Sequence, residues 1–171
     1  TDADLLQMFS IAPIDPATVI DGSGNTGSLT WNFNSDANAL NQAFDFLADG
    51  ESLVLTYTVE VTDSQLAKDD NTVVITIAGT NDAPTITGEA VSKNESNLPL
   101  TATGTLDVED LDTSDSVTAQ ITGVTATGVN ELTDADLLQM FSIAPIDPAT
   151  VIDGSGNTGS LTWNFNSDAN A

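Results

Sequence analysis

The sequence predicts an all-β protein made of antiparallel β-sandwich repeats, and three observations carry that prediction. Apolar and polar residues alternate in several short runs, polar glycine-bearing turns separate those runs, and one long segment recurs unchanged later in the chain. A period of two sends successive side chains to opposite faces of a strand, so alternation marks a strand with one buried and one wet face. Many short strands at regular turn signals suit a sandwich, in which two sheets bury one face each.

Taken in order, SLTWNFN at 28–34 sets Leu29, Trp31 and Phe33 on one face. At alternating strand positions Trp31 and Phe33 read as core rather than as a sugar-stacking pair. NALNQAFDFL at 38–47 alone has helical spacing and predicts a short turn or brief helix. SLVLTYTVEVT at 52–62 alternates most clearly, with Leu53, Leu55, Tyr57, Val59 and Val61 inward. NTVVITIA at 71–78 repeats the pattern through Val73, Ile75 and Ile77, and residues 98–108 and 116–124, rich in Thr and Val, predict further strands. The polar stretch DGSGNTG at 21–27 resembles the start of an EF-hand loop through Asp21, Ser23 and Asn25. Its twelfth position is Asn32 rather than Glu and no helices flank it, so a hairpin turn is the better reading.

The segment at 1–39 recurs without a mismatch at 133–171, an offset of 132 residues. Identity over such a length means recent tandem duplication, with each copy a domain of ordinary size. The natural boundary is TNDAP at 80–84, where a strand-like run ends in turn residues and proline. Residues 1–82 are then the C-terminal part of one repeat and 83–171 the N-terminal part of the next. The start at Thr1 rather than Met suggests a piece cut from something longer. Each partial repeat lacks strands and leaves edges unpaired. Head-to-tail self-association, in which one molecule completes another, is the expected consequence.

With 26 acidic residues against 2 basic ones, Lys68 and Lys93, the net charge is −24. Nucleic acid and anionic lipid need a positive patch, so neither is an expected partner. No apolar run approaches the roughly 20 residues that span a bilayer, so membrane insertion is not expected either. The chain has no Cys and no His. Thiol catalysis, a Ser-His-Asp triad, structural zinc and histidine-held metals are thereby excluded. The 40% apolar content is enough for a folded core.

The acids gather at strand ends: Asp49 and Glu51 before one strand, Asp63 after it, Asn81 and Asp82 at the repeat boundary, then Glu109, Asp110, Asp112 and Asp115. Hard cations such as calcium take six to eight oxygens, and acids alternating in an irregular loop can aim several at one point. Solubilising charge is the competing reading. Asp110 and Asp112 could be mistaken for a glycosidase pair, but adjacent acids on one loop do not flank a substrate bond. No enzyme is expected.

Several motifs resemble a known family. GES-x-x-LTYTVEVTD at 50–63, TVVITIAGTNDAP at 72–84, VSKNES at 91–96 and GTLDVEDLDTSDSV at 104–117 are similar, in order and spacing, to cadherin repeats and more closely to the VCBS-type repeats of large bacterial RTX-type adhesins. The resemblance implies an Ig/cadherin-like antiparallel sandwich with calcium at the junction between neighbouring repeats of the same chain. It implies Glu51, Asn81, Asp82, Asp110 and Asp112 as ligands; Asp49, Glu109 and Asp115 are lesser candidates by their places in the acidic clusters. Asp63 and Glu95 align with acids that serve other junctions. The departure is Gly79-Thr80 ahead of NDAP, where a further acid would be usual. The implied role is a structural extender on the bacterial cell surface, outside the cell. The alternative is a ligand-binding or homophilic adhesion module that takes sugars or like repeats.

Overall fold

The computed structural model describes residues 1–12, 18–38, 43–145 and 149–168. Among the described residues strands predominate, every strand pairing is antiparallel, and the two α-helices are six residues each. No helix among the described residues is long and apolar enough to cross a membrane. The chain forms two compact units. The first comprises Thr1–Phe44 and Ser52–Ala78, the second Asp45–Glu51 and Gly79–Ala171.

The first unit contains helix α1 (Asp2–Gln7) and strands β1 (Phe9–Ala12), β2 (Thr30–Phe33), β3 (Ser52–Thr62) and β4 (Lys68–Ala78). The β3–β4 hairpin opposes Leu53 to Ile77, Leu55 to Ile75 and Tyr57 to Val73, so the apolar members of both strands share one face. Leu55 and Tyr57 are buried while their neighbours Thr56 and Thr58 are exposed, which is the alternation realised in the middle of the strand; Val61, expected inward, is 47% exposed. The Tyr57 ring stacks on Phe9 at 4.3 Å between centroids and its hydroxyl donates to the Leu5 carbonyl at 2.9 Å. This hairpin ends in a turn closed by Asp63, whose Oδ1 accepts from the amides of Gln65 and Ala67 at 2.8 and 2.9 Å.

The second unit contains β5 (Thr85–Ile86), β6 (Thr101–Glu109), β7 (Ser116–Ala119), α2 (Asp134–Gln139), β8 (Phe141–Ala144), β9 (Ala149–Asp153) and β10 (Thr158–Asn166). A four-stranded sheet runs β5-β6-β10-β8, and β7 pairs with β9. Val108, Ile152 and Leu161 are its buried centre, with Leu106, Val117, Ala119, Ile143 and Val151 packed around them.

The helices correct the sequence reading, which confined helical spacing to 38–47. In that window residues 39–42 lie outside the described residues, Ser35–Asn38 forms a 3-10 turn and 43–46 are turn. Helix forms instead at TDADLLQ, in both copies. In the second, Thr133 Oγ1 accepts from the Asp136 amide at 3.2 Å and Asp136 Oδ2 accepts from the Thr133 amide at 3.0 Å. This reciprocal cap satisfies two amides that a helix start leaves orphaned, with Asp in the place usually held by Glu. Strand ends also shift. The run expected at 98–108 is β6 at Thr101–Glu109, that at 116–124 stops at Ala119, and that at 71–78 begins at Lys68.

Identical sequence meets two environments here. At 158–166 the duplicated strand is nine residues long, because β6 hydrogen-bonds along its whole length. At the equivalent 26–34 only Thr30–Phe33 is strand, paired with β1 on one side. Trp31, read from the sequence as core, is instead 50% exposed, while its counterpart Trp163 is 7% exposed; Ile20 is 51% exposed and Ile152 3%.

Candidate metal centre

The loop after β6 holds the two buried charged residues among those described, Asp110 and Asp112, which are 3% and 0% exposed. Burying a carboxylate costs several kcal/mol unless partners compensate, so their surroundings decide what the loop can do. Backbone bonds fix its path. The Asp110 amide donates to the Asn157 carbonyl at 2.9 Å, the Asp115 amide to the Asp112 carbonyl at 3.1 Å, and Thr113 donates through its amide and hydroxyl to the Phe46 carbonyl. Asp110 Oδ1 accepts from the Asp112 amide at 3.1 Å, a turn closed by its own side chain.

Asp112 points the other way along the chain. Its Oδ2 accepts from the Asp82 amide at 2.7 Å, tying the segment that follows β4 to the loop that follows β6. Its Oδ1 is buried and has no hydrogen-bond partner. An anionic oxygen in that state is expensive, and such groups in folded proteins are met by water or an ion. Asp115 is half-buried beside this pair. Burial first, then the negative charges of Asp112, Asp110, Glu51 and Asp49, push its carboxyl above the ordinary value of 3.8. These acids therefore share one field, and neither lysine makes an ion pair with them; Lys68 pairs with Glu60 at 2.7 Å.

The turn carrying Asp49 and Glu51 is held close by glycine. Gly50 takes φ +85°, and the Glu51 side chain caps its own turn by accepting from the Ala48 amide at 3.0 Å. The Gly79 amide donates to the Glu51 carbonyl at 3.0 Å, and a Cβ at Gly79 would strike the carbonyls of Leu47 and Ala48. A glycine stands ahead of NDAP because the backbone of the Asp49–Glu51 turn lies against it.

The structure thus places Asp110, Asp112 and Asp115 in one loop with the Asp82 amide bonded to Asp112, and the charges of Asp49 and Glu51 reach Asp115. Asn81 is exposed and its amide group donates to the Asp82 carbonyl at 2.9 Å. Glu109 is exposed at the end of β6 and its carbonyl accepts from Thr85 Oγ1 at 3.4 Å. Asp63 serves the hairpin turn of the first unit and Glu95 is exposed in the irregular stretch before β6. Among the described residues, no three acidic side chains lie close enough together to hold a metal ion as they stand. Oxygen donors of this kind are those a hard cation takes, and the Asp112 Oδ1 has room in its hydrogen bonding for a water or an ion. Sequence reasoning missed Asn157 and Phe46, which act through backbone carbonyls and so leave no side-chain signal.

Searched against models of protein families and against curated proteins, the sequence finds no match.

Proposed function

We propose that this chain is a structural extender from the repetitive stalk of a large bacterial surface adhesin, stiffened by calcium where successive repeats join. The observation that carries the reading is Asp112, wholly buried, with one carboxylate oxygen held by the Asp82 amide and the other unpartnered. Asp110, Asp112, Asp82 and Asp115 would hold the ion, with Asp49 and Glu51 available from the adjoining turn. A divalent cation bound there supplies the positive charge that two lysines in the whole chain cannot. Asp82 follows β4 by four residues, so fixing it to the Asp110–Asp115 loop limits how freely the chain bends after that strand.

The duplicated segment supports the spacer role, since in a rod length is the product and each copy repeats the last. Antiparallel sheets with apolar inner faces support an Ig/cadherin-like sandwich in each repeat. A carboxylate-rich surface suits an environment outside the cell, where calcium reaches the concentrations that weak extracellular modules need, roughly 10⁻⁴–10⁻³ M. The reading assigns no catalytic role to any residue.

The test is a thermal melt in millimolar calcium against excess chelator, at matched ionic strength. Calcium raises the midpoint by many degrees, magnesium does not reproduce the rise, and Asp112→Asn or Asp110→Asn removes it. A parent protein that melts alike in calcium and in chelator would reduce the acids to solvated charge.

A further inference from the structure

The chain carries its 39-residue segment twice but the β3–β4 hairpin once. In the first unit this hairpin covers the segment. Tyr57 stacks on Phe9 at 4.3 Å, lies 6.4 Å from Phe33 and donates to the Leu5 carbonyl. At an offset of 132 residues these positions become Phe141, Phe165 and Leu137. In the second unit Phe141 and Phe165 oppose each other across β8 and β10, on the same face as Trp163 and Ile143. There, Phe141, Trp163 and Phe165, with Leu100, Ala102 and Leu106, line an apolar groove of about 450 Å³.

We infer that this groove seats the β3–β4 hairpin of a second copy of this chain, with Tyr57 of that copy on Phe141 as it lies on Phe9 within its own unit. The occupant is identified by the chain itself, which shows what the same side chains accept when a partner is to hand. The second seat is also the better platform. Its sheet has four strands where the first has two, and β6 pairs along all of β10. Trp163 is held by a 2.8 Å bond to Glu89 and is nearly buried, whereas Trp31 is half exposed. A hairpin released from its own unit finds on that layer the same aromatic contacts that it leaves. The contact joins the hairpin of one copy to the groove of the next, and wherever it does not close on itself it runs on as a head-to-tail chain. Mutual repulsion of copies at −24 each opposes it, and screening by salt permits it.

Sedimentation velocity of the full chain, at physiological salt and with chelator present throughout, tests this without engaging the calcium site. The parent associates with rising concentration into a ladder of masses. Phe141→Ser abolishes the ladder, while Phe9→Ser, the same substitution at the identical position of the first copy, releases the hairpin and raises the associated fraction several-fold. Because Phe141→Ser can also unfold its unit, a second variant carries residues 40–82 again after residue 171. Its groove is then filled within the chain, and it sediments as a monomer at every concentration. A parent that is monomeric throughout, an extended chain that still forms the ladder, or equal losses from Phe9→Ser and Phe141→Ser would each overturn the proposal.

Discussion

Asp115 shows what the cluster costs without a cation. Its carboxyl is raised because burial and the charges of Asp112, Asp110, Glu51 and Asp49 all disfavour its ionised form. The folded chain therefore binds this proton more tightly than the unfolded chain does, and stability must fall as pH rises through the window. The loss begins near the ordinary value of 3.8, is complete above the raised folded value, and persists at neutral pH. Asp115→Asn should accordingly make the chelated protein more stable than the parent at pH 7, with the advantage vanishing below 3.8. The comparison must be made as a difference between variant and parent, since Asp136 and Asp153, lowered by bonds from Thr133 and Ser155, pull the acid limb the other way. In calcium the sign should reverse, because the substitution then removes a donor. Urea titrations of both proteins across the acid range check each limb; a constant difference at all pH values would mean that the Asp115 charge does not matter.

At the scale of elements, Gly79 decides whether its own backbone can lie against the carbonyls of Leu47 and Ala48. A methyl group there meets main-chain carbonyls, which cannot swing aside as a side chain can. Gly79→Ala should cost about 1–3 kcal/mol by overpacking, whereas Gly88→Ala, with open space around it, should cost little. Denaturant midpoints of the pair test the claim, and equal costs would remove it. The same glycine marks where the sequence was legible and where it was not. Strand β3 was readable to the residue at 52–62, while β4 starts three residues before the run expected at 71–78, because the apolar alternation that writes period two into a strand begins only at Val73. The helix at TDADLLQ was not: six residues are too few for an apolar stripe, and what starts it is a local cap rather than a pattern. The acids of the loop after β6 were legible as candidates from their spacing. Their burial was not, because it depends on carbonyls of Asn157 and Phe46 brought from distant parts of the chain.

For the whole molecule, charge is the governing quantity. Among the described residues the ion pairs are Thr1 with Asp4 and Lys68 with Glu60, both solvent-exposed, and exposed pairs contribute little. The remaining acids repel one another, and compaction brings them closer together than they are in the unfolded chain. Sodium chloride should therefore stabilise the metal-free protein continuously as the screening length shrinks from about 30 Å at 0.01 M to about 8 Å at 0.15 M. This general effect has no address, so it should survive Asp110→Asn and Asp112→Asn almost unchanged. The calcium increment, measured on top of saturating salt, should disappear in the same two variants. Melting each protein over a salt series, with and without calcium, separates the two contributions. If the calcium increment shrank in step with the salt response and survived both substitutions, calcium would be acting as a counter-ion to the whole surface, and the buried pair at Asp110 and Asp112 would need another explanation.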